Sequence, residues 1–321
     1  MQNTATRPFA NSTMGRVGKD RCRETFFRCC DIVEADFAKG WRSMRKIKIV
    51  ADSSANIQSL EKIPFGSAPL KIITAEREFA DDLNLNVDQM VEFFDSYKGK
   101  SKTSCPNPAD WLEAFGDADE VYCVAITSGL SGSYNAACIA KEMYETENAG
   151  KQICVIDSLS AGPELALIVE KLEEYIDADM SFGEICEKIK AYQQQTGLTF
   201  MLESLKNFAA NGRVSPAVAK ITGVLGIRIV GIASQQGTLE PTDKCRGEKK
   251  ALDALLKNMT EAGLHKGKVR IAHCWNEEAA NALAQRINSV FPEVDVQITK
   301  CLGLCSYYAE KGGLLIGFEK F

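Results

Sequence analysis

The stretch AITSGLSGSYNAA, residues 125–137, overlaps the apolar run VYCVAI and precedes a helical pattern that begins near Asn135. Small hydroxyl side chains and glycines are concentrated where a buried strand passes into a helix. Such a turn presents backbone N–H groups at the positive end of the helix dipole, where an anionic group binds favourably. The stretch therefore predicts a strand–turn–helix unit that receives an anionic oxygen group.

The segments around this stretch alternate between short apolar runs and helical patterns. Residues 47–178 contain the runs IKIVAD, PLKIIT, VYCVAI and QICVID, which are separated by amphipathic segments. This alternation predicts an α/β fold, a doubly wound parallel sheet covered by helices on both faces. Residues 179–321 contain several further strand patterns and two long helical ones, and they predict a second, α+β domain with its own core.

Residues 1–46 differ from the rest of the chain. They begin with a polar segment that lacks the apolar core of a secretory signal. The segment RCRETFFRCCDIVEADFAKGWRSMR follows, with aromatic and apolar residues near helical spacing. We expect an N-terminal extension with an amphipathic helix that docks on the main body or on a second subunit. Its acidic residues disfavour a membrane-surface role.

Composition and charge exclude several classes of protein. The formal net charge of −5 among 321 residues gives no overall basic surface for nucleic acid, and no apolar run is long enough to span a membrane. Twelve cysteines without a CxxC pair predict reduced thiols in a cytoplasmic protein. Cys301 and Cys305 are four residues apart, but they lack the partners of a zinc site. We therefore expect no metal, and the role of this pair stays open.

Three polar loops are the candidate binding elements. They are Asp52-Ser53-Ser54, residues 102–106 with Thr103 and Ser104, and residues 127–133. Ligands of open α/β sheets bind beyond the carboxyl ends of the strands, so we expect the three loops on one rim. The absence of a P-loop or GxGxxG motif, and the scarcity of positive charge, favour a carboxylate over a polyphosphate. Alternatively, the hydroxyls only cap helices and close turns.

A second hypothesis makes the same loop catalytic. Residues 129–133, GLSGS, differ from the GxSxG nucleophile elbow only in the final glycine. Ser131 would be the nucleophile and His273, downstream in the chain, the base of a serine hydrolase acting on acyl esters. The chain lacks an HGGG-type oxyanion motif.

An ordered series of segments carries a family resemblance over residues 47–321. The segments include VADSSA, KTSCPNP, ITSGLSGSYNAA, VIDSLSA, SLKNFAANGRVSPA and IAHCWNEEAA. In this order they resemble the DegV family of fatty-acid-binding proteins, whose bacterial members include the acyl-carrying subunit of fatty acid kinase. The resemblance implies two domains with a long-chain fatty acid buried between them and no cofactor.

The resemblance also implies roles for individual residues. Thr103, Ser128 and the backbone N–H of Gly129 would bind the carboxylate, and His273 would face it across the cleft. Asp52, Ser53, Ser104 and Ser131 would complete the loops around the site. Arg213 would contact a partner or bond the loops together.

A partner kinase would phosphorylate the bound carboxylate, since the chain shows no nucleotide motif of its own. The chain departs from the family pattern at Cys105, at Asn211-Gly212 and over residues 301–308, and the last departure bears on kinase coupling more than on lipid binding. A lipid store or regulator without a kinase is the alternative. The preferred chain length, and the choice between monomer and homodimer, stay open.

Overall fold

Strands and helices alternate along the computed structural model, which describes residues 45–215 and 226–321. The amphipathic helix expected before residue 45 lies outside the described residues. The strands are β1 (Ile47–Asp52), β2 (Phe65–Ala68), β3 (Lys71–Thr74), β4 (Glu78–Ala80), β5 (Ser101–Ser104), β6 (Glu120–Ala125), β7 (Gln152–Asp157), β8 (Thr196–Leu202), β9 (Ile227–Ala233), β10 (Leu239–Arg246), β11 (Gly267–His273), β12 (Val294–Lys300) and β13 (Leu314–Glu319). The α-helices are α1 (Val87–Ser96), α2 (Pro108–Phe115), α3 (Ser133–Glu147), α4 (Pro163–Asp177), α5 (Phe182–Gln193), α6 (Lys206–Ala210), α7 (Glu248–Ala262), α8 (Glu277–Val290) and α9 (Gly303–Ala309).

A four-stranded parallel sheet, in the order β2–β1–β6–β7, forms the first layer of the fold. Successive side chains of a strand point to opposite faces. Accordingly Ile49 and Ala51 pack with α4 and α5, whereas Val50 packs with α2 and α3. Both faces of the sheet are covered by helices, so the predicted doubly wound α/β fold is confirmed.

The second layer is a six-stranded mixed sheet in the order β10–β9–β8–β13–β11–β12. Its neighbouring strands are antiparallel except β11 and β12, which are parallel. Helices α7 and α8 bury their apolar faces on it, with Leu255 and Leu283 fully buried. This agrees with the α+β character predicted for the second half.

A small antiparallel sheet, β4–β3–β5, differs from the sequence prediction. The sequence predicts a strand of the parallel sheet over residues 69–74. In the structure Lys71–Thr74 form β3 of the small sheet, and the place beside β1 is taken by β2, whose sequence FGSA carries a weak strand signal. Gly66 is needed there, because a Cβ atom would lie 2.7 Å from the carbonyl oxygen of Ala114. Residues 101–104 form β5 and not a loop, and the short helix expected over residues 57–63 is absent.

Helix α4 joins the two large sheets, because it packs against β1 and β6 on one side and against β11 and β13 on the other. Glu170 of this helix accepts two hydrogen bonds from the Arg270 guanidinium of β11, at 2.7 and 2.8 Å. Residues 46–321 therefore form one compact unit around a shared helix. The domain boundary near residue 178 stays a prediction.

The sequence predicts that no apolar segment of the chain is long enough to span a membrane. Among the helices of residues 45–215 and 226–321, not one is long and apolar enough to cross a membrane.

Burial of α4 predicts a contrast between two isoleucine substitutions. Ile168→Ala should lower the free energy of unfolding by about 2–5 kcal/mol, because Ile168 is fully buried between α4 and the parallel sheet. Ile139→Ala is the matched control, since Ile139 of α3 is 50% exposed. The free energy of unfolding of Ile139→Ala should stay within about 0.5 kcal/mol of the wild-type value. Equal changes in urea denaturation would contradict the described packing of α4.

Candidate functional site

A cavity of about 320 Å³ lies between the parallel sheet and the mixed sheet. This volume is at the lower end of the range typical of small-molecule sites, about 300–1,000 Å³. Its apolar wall comes from both halves of the chain: Leu70, Ile126, Leu130, Leu198, Phe200, Leu202, Phe208, Leu239, Leu304 and Leu315. The cavity therefore suits an apolar ligand.

Five residues form what we call the polar end of the cavity: Thr103, Ser104, Ser131, Arg213 and Tyr308. The hydroxyls of Thr103 and Tyr308 are hydrogen-bonded at 2.7 Å. The Arg213 Nε donates to the carbonyl oxygen of Leu130 at 3.0 Å, which holds the guanidinium beside the 127–133 turn. The polar end thus combines three kinds of hydroxyl with one fixed positive charge.

The carboxylate of Asp52 holds the loops together beneath the cavity. It accepts hydrogen bonds from the N–H of Ile126 at 2.8 Å, from the hydroxyl of Ser133 at 2.6 Å and from both the N–H and the hydroxyl of Ser54. Burial raises the pKa of Asp52, and these donors oppose the rise. Ser53 is also buried, and its Oγ accepts from the N–H of Leu70 at 3.1 Å. Asp52 and Ser53 are therefore structural supports of the wall.

Only some of the residues expected to bind an anion line the cavity. Thr103, Ser104, Ser131 and Arg213 line the cavity, whereas Ser128 and Gly129 are exposed and stand outside its wall. The Ser128 N–H donates to Asp157 Oδ1 at 3.1 Å, and the Gly129 N–H donates to Thr127 Oγ1 at 3.1 Å. Thr127, the preceding residue, lines the cavity instead. A head-group role for Ser128 or Gly129 is not supported by this geometry and stays a prediction.

His273 lies at the end of β11 and is 9% exposed. Its Nδ1 accepts from the N–H of Asn276 at 3.3 Å, and it is not one of the residues that line the cavity. Burial lowers its pKa; Glu277 opposes this effect and Lys300 adds to it. The Ser131 hydroxyl accepts from the N–H of Ser133 at 3.3 Å. These contacts give the serine hydrolase hypothesis no support.

Cys301 and Cys305 flank the start of α9 and are buried. Burial raises the pKa of both thiols, which keeps them protonated and disfavours metal binding. The Cys305 thiol lines the cavity and lies 3.6 Å from the carbonyl oxygen of Ser54. Among the described residues there is no group of three or more metal-ligating side chains.

Tyr308 is a site residue that the sequence did not indicate, whereas Thr127 belongs to the candidate loop of residues 127–133. Tyr308 belongs to α9, whose first N–H groups, those of Gly303 and Leu304, donate to the carboxylate of Asp81 at 2.9 and 2.8 Å. The sequence predicts a loop over residues 301–308, whereas Gly303–Ala309 form the helix α9, and no local pattern indicates which tyrosine faces a cavity. Asp81 is 222 residues from Gly303 along the chain, so local patterns could not reveal this anchor.

A largely apolar cavity with hydroxyl side chains and one arginine in its lining, placed between two layers, is typical of a binding protein for an amphiphilic small molecule. A model of the DegV family, described as uncharacterised proteins, matches residues 46–320. The chain belongs to the DegV family. A DegV domain-containing protein of Streptococcus pneumoniae is 44% identical over 276 residues, 85% of this chain and 98% of the relative.

Solved structures of similar sequence have the same fold. A DegV family protein from Eubacterium eligens, loaded with heptadecanoic acid, is 44% identical with a TM-score of 0.84 over 86% of this chain and 100% of that one. The Fatty Acid Kinase B3 protein of Streptococcus pneumoniae, loaded with linoleic acid, is 43% identical with the same TM-score and coverage. A DegV family protein from Ruminococcus gnavus, refined with vaccenic acid, is 30% identical with a TM-score of 0.79 over 85% of this chain and 100% of that one.

The Asp52 cluster predicts a stability loss at Ser133. Ser133→Ala should lower the free energy of unfolding by about 1.5–3 kcal/mol, because the buried carboxylate loses a charge-assisted hydrogen bond. Ser289→Ala, on the exposed face of α8, should change it by less than about 0.5 kcal/mol. Chemical denaturation of both variants measures the difference. A loss at Ser133 no larger than at Ser289 would show that this bond adds no stability.

The pKa of Asp81 predicts a pH dependence of stability. Burial raises this pKa from its usual 3.8 to about 6, although the α9 N–H groups oppose the rise. Between pH 6 and pH 4 the folded protein is protonated at Asp81 while the unfolded chain is not. The free energy of unfolding should therefore gain about 1.4 kcal/mol per unit of falling pH from this group.

The Asp81→Asn variant isolates that contribution because asparagine does not titrate. The difference in free energy of unfolding between wild type and variant should change with pH over this window and stay constant above pH 7. A difference that stays constant from pH 7 to pH 4 would mean that the pKa of Asp81 is not raised.

Proposed function

We propose that this chain binds a long-chain fatty acid in the cavity, with its tail against the apolar wall and its carboxylate at the polar end. The observation that carries the proposal is one cavity with a largely apolar wall from both sheets and with Arg213 beside hydroxyl side chains in its lining. The relatives from Eubacterium eligens and Streptococcus pneumoniae, which hold heptadecanoic and linoleic acid, support the same ligand class.

Tail and head group contribute differently to binding. Each buried methylene contributes roughly 0.8 kcal/mol, so a long tail against Leu198, Phe200 and Leu315 supplies most of the affinity before the costs of association are deducted. The head group then needs orientation more than energy. Hydroxyl donors and one guanidinium suit a singly charged carboxylate better than a polyphosphate.

We further propose that the chain presents the carboxylate to a fatty acid kinase, which phosphorylates it. The relationship to the Fatty Acid Kinase B3 protein supports this role. Ser104 of the polar end is exposed, so a partner can reach the head group from that side. The chain acts in this scheme as the binding subunit and not as the catalyst. Acyl-phosphate formation on addition of a kinase subunit, trapped with hydroxylamine, distinguishes presentation from storage.

The cytoplasm is the compartment that we propose. The nine cysteines within the described residues are free, including the partly exposed Cys105, Cys138, Cys154 and Cys186. Free thiols are typical of a reducing compartment.

A cavity-filling substitution tests the tail site. Organic extraction and mass spectrometry of the purified wild type should yield a long-chain fatty acid in stoichiometric amount. Ala233→Trp places an indole in the cavity wall and should expel several methylenes. A loss of four methylenes corresponds to about 3 kcal/mol, or more than about 100-fold in the Kd for palmitate.

The matched control is Ala262→Trp, at the exposed end of α7, which should leave the Kd unchanged. The increase in Kd caused by Ala233→Trp should be smaller for shorter fatty acids, because they fill less of the cavity. A wild type that carries no lipid and takes up no palmitate would refute the proposed function.

A further inference from the structure

Two consecutive tyrosines of α9 make matching hydrogen bonds to β5 but face different spaces. The Tyr308 hydroxyl bonds to Thr103 Oγ1 and the Tyr307 hydroxyl to Ser101 Oγ, both at 2.7 Å. Tyr308 and Thr103 line the cavity, whereas Tyr307 and Ser101 line a separate groove. Of these two hydrogen-bonded pairs, Thr103–Tyr308 is the one placed to act on a ligand in the cavity.

Either hydroxyl of the Thr103–Tyr308 pair can donate at this distance, and acidity favours Tyr308 as the donor. A phenol, with a pKa near 10, is a much stronger hydrogen-bond donor than an aliphatic hydroxyl. The charge of Arg213 acts on Tyr308 in the same sense, because it favours the phenolate and opposes the effect of burial on the pKa of Tyr308. With Tyr308 as the donor and Thr103 as the acceptor, the Thr103 hydrogen is left available to the cavity.

The surroundings hold both side chains in this arrangement. The ring of Tyr308 packs on Phe208, with centroids 4.6 Å apart. The backbone N–H of Thr103 donates to Asn211 Oδ1 at 2.9 Å, which positions the end of β5. The hydroxyl of Thr103 is then oriented before any ligand arrives.

We propose that Tyr308 is a positioning residue for the ligand carboxylate: it donates to Thr103 Oγ1, so that Thr103 presents its own hydrogen to a carboxylate oxygen. This inference rests on the proposed function and adds a basis for head-group selectivity. A donor held in place favours an anionic acceptor, because charge-assisted hydrogen bonds are about twice as strong as neutral ones. Fatty acids are therefore selected over the neutral fatty alcohols of equal length.

Matched phenylalanine variants test the proposal. Tyr308→Phe should weaken palmitate binding by about fivefold, the effect of losing one well-placed hydrogen bond, with little effect on hexadecanol. The control is Tyr144→Phe, which removes a hydroxyl that donates to the carbonyl oxygens of Gly116 and Ala118 at 3.0 and 2.7 Å, away from the cavity, and this variant should bind both ligands as the wild type does. In a double-mutant cycle, Tyr308→Phe should have no further effect once Thr103→Val is present, because Tyr308 acts through Thr103.

Titration of bound carboxyl-¹³C palmitate by NMR provides a readout that a purely structural role would not change. Loss of an oriented donor should raise the pKa of the bound carboxyl in Tyr308→Phe but not in Tyr144→Phe. Equal affinity and equal titration in the two variants would overturn the role of Tyr308, while palmitate binding by the wild type would still uphold the proposed function. Failure of the wild type itself to bind palmitate would overturn the proposed function as well.

Discussion

The buried carboxylate of Asp52 is the interaction on which the binding site depends. Its partners belong to three separate elements: the turn after β1, the end of β6 and the start of α3. Burial disfavours a charge in this place, and the surrounding N–H and hydroxyl donors compensate for part of that penalty. Because Ser54 and Ile126 also line the cavity, the same cluster shapes one wall of the binding site.

The opposite wall depends on contacts between distant parts of the chain. Helix α4 is shared by both large sheets, and the bidentate pair of Glu170 with Arg270 fastens it to β11. Asp81 anchors the start of α9, which carries Tyr308 of the polar end. The turn between β9 and β10 closes on Thr127 at Gly237, where φ is +71° and a Cβ atom would lie 2.0 Å from Thr127 Oγ1. Only glycine fits this approach.

The cavity divides affinity and orientation between its two ends. Apolar residues of β8 and β13 offer contact area that grows with ligand length, whereas the polar end offers a small number of fixed groups. Arg213 is held by the carbonyl oxygen of Leu130 and Thr103 by Tyr308, so little conformational entropy remains to be lost there on binding. Under the proposed function, such a site separates ligands by head-group charge while it tolerates variation in the tail.

The sequence by itself determined the family and most of the regular elements, but not β2, β5 or α9. Local patterns indicated the buried strands β1 and β6, the helix cap at Asn86 and the helix end at Asn211, because these features depend on neighbouring residues. Tertiary structure alone decided that Thr127, and not Ser128, faces the cavity, since side-chain direction in an irregular turn has no periodicity. It also brought Tyr308 to Thr103 across 205 residues. No local pattern encodes such a contact, because it depends on how the sheets and α9 pack together.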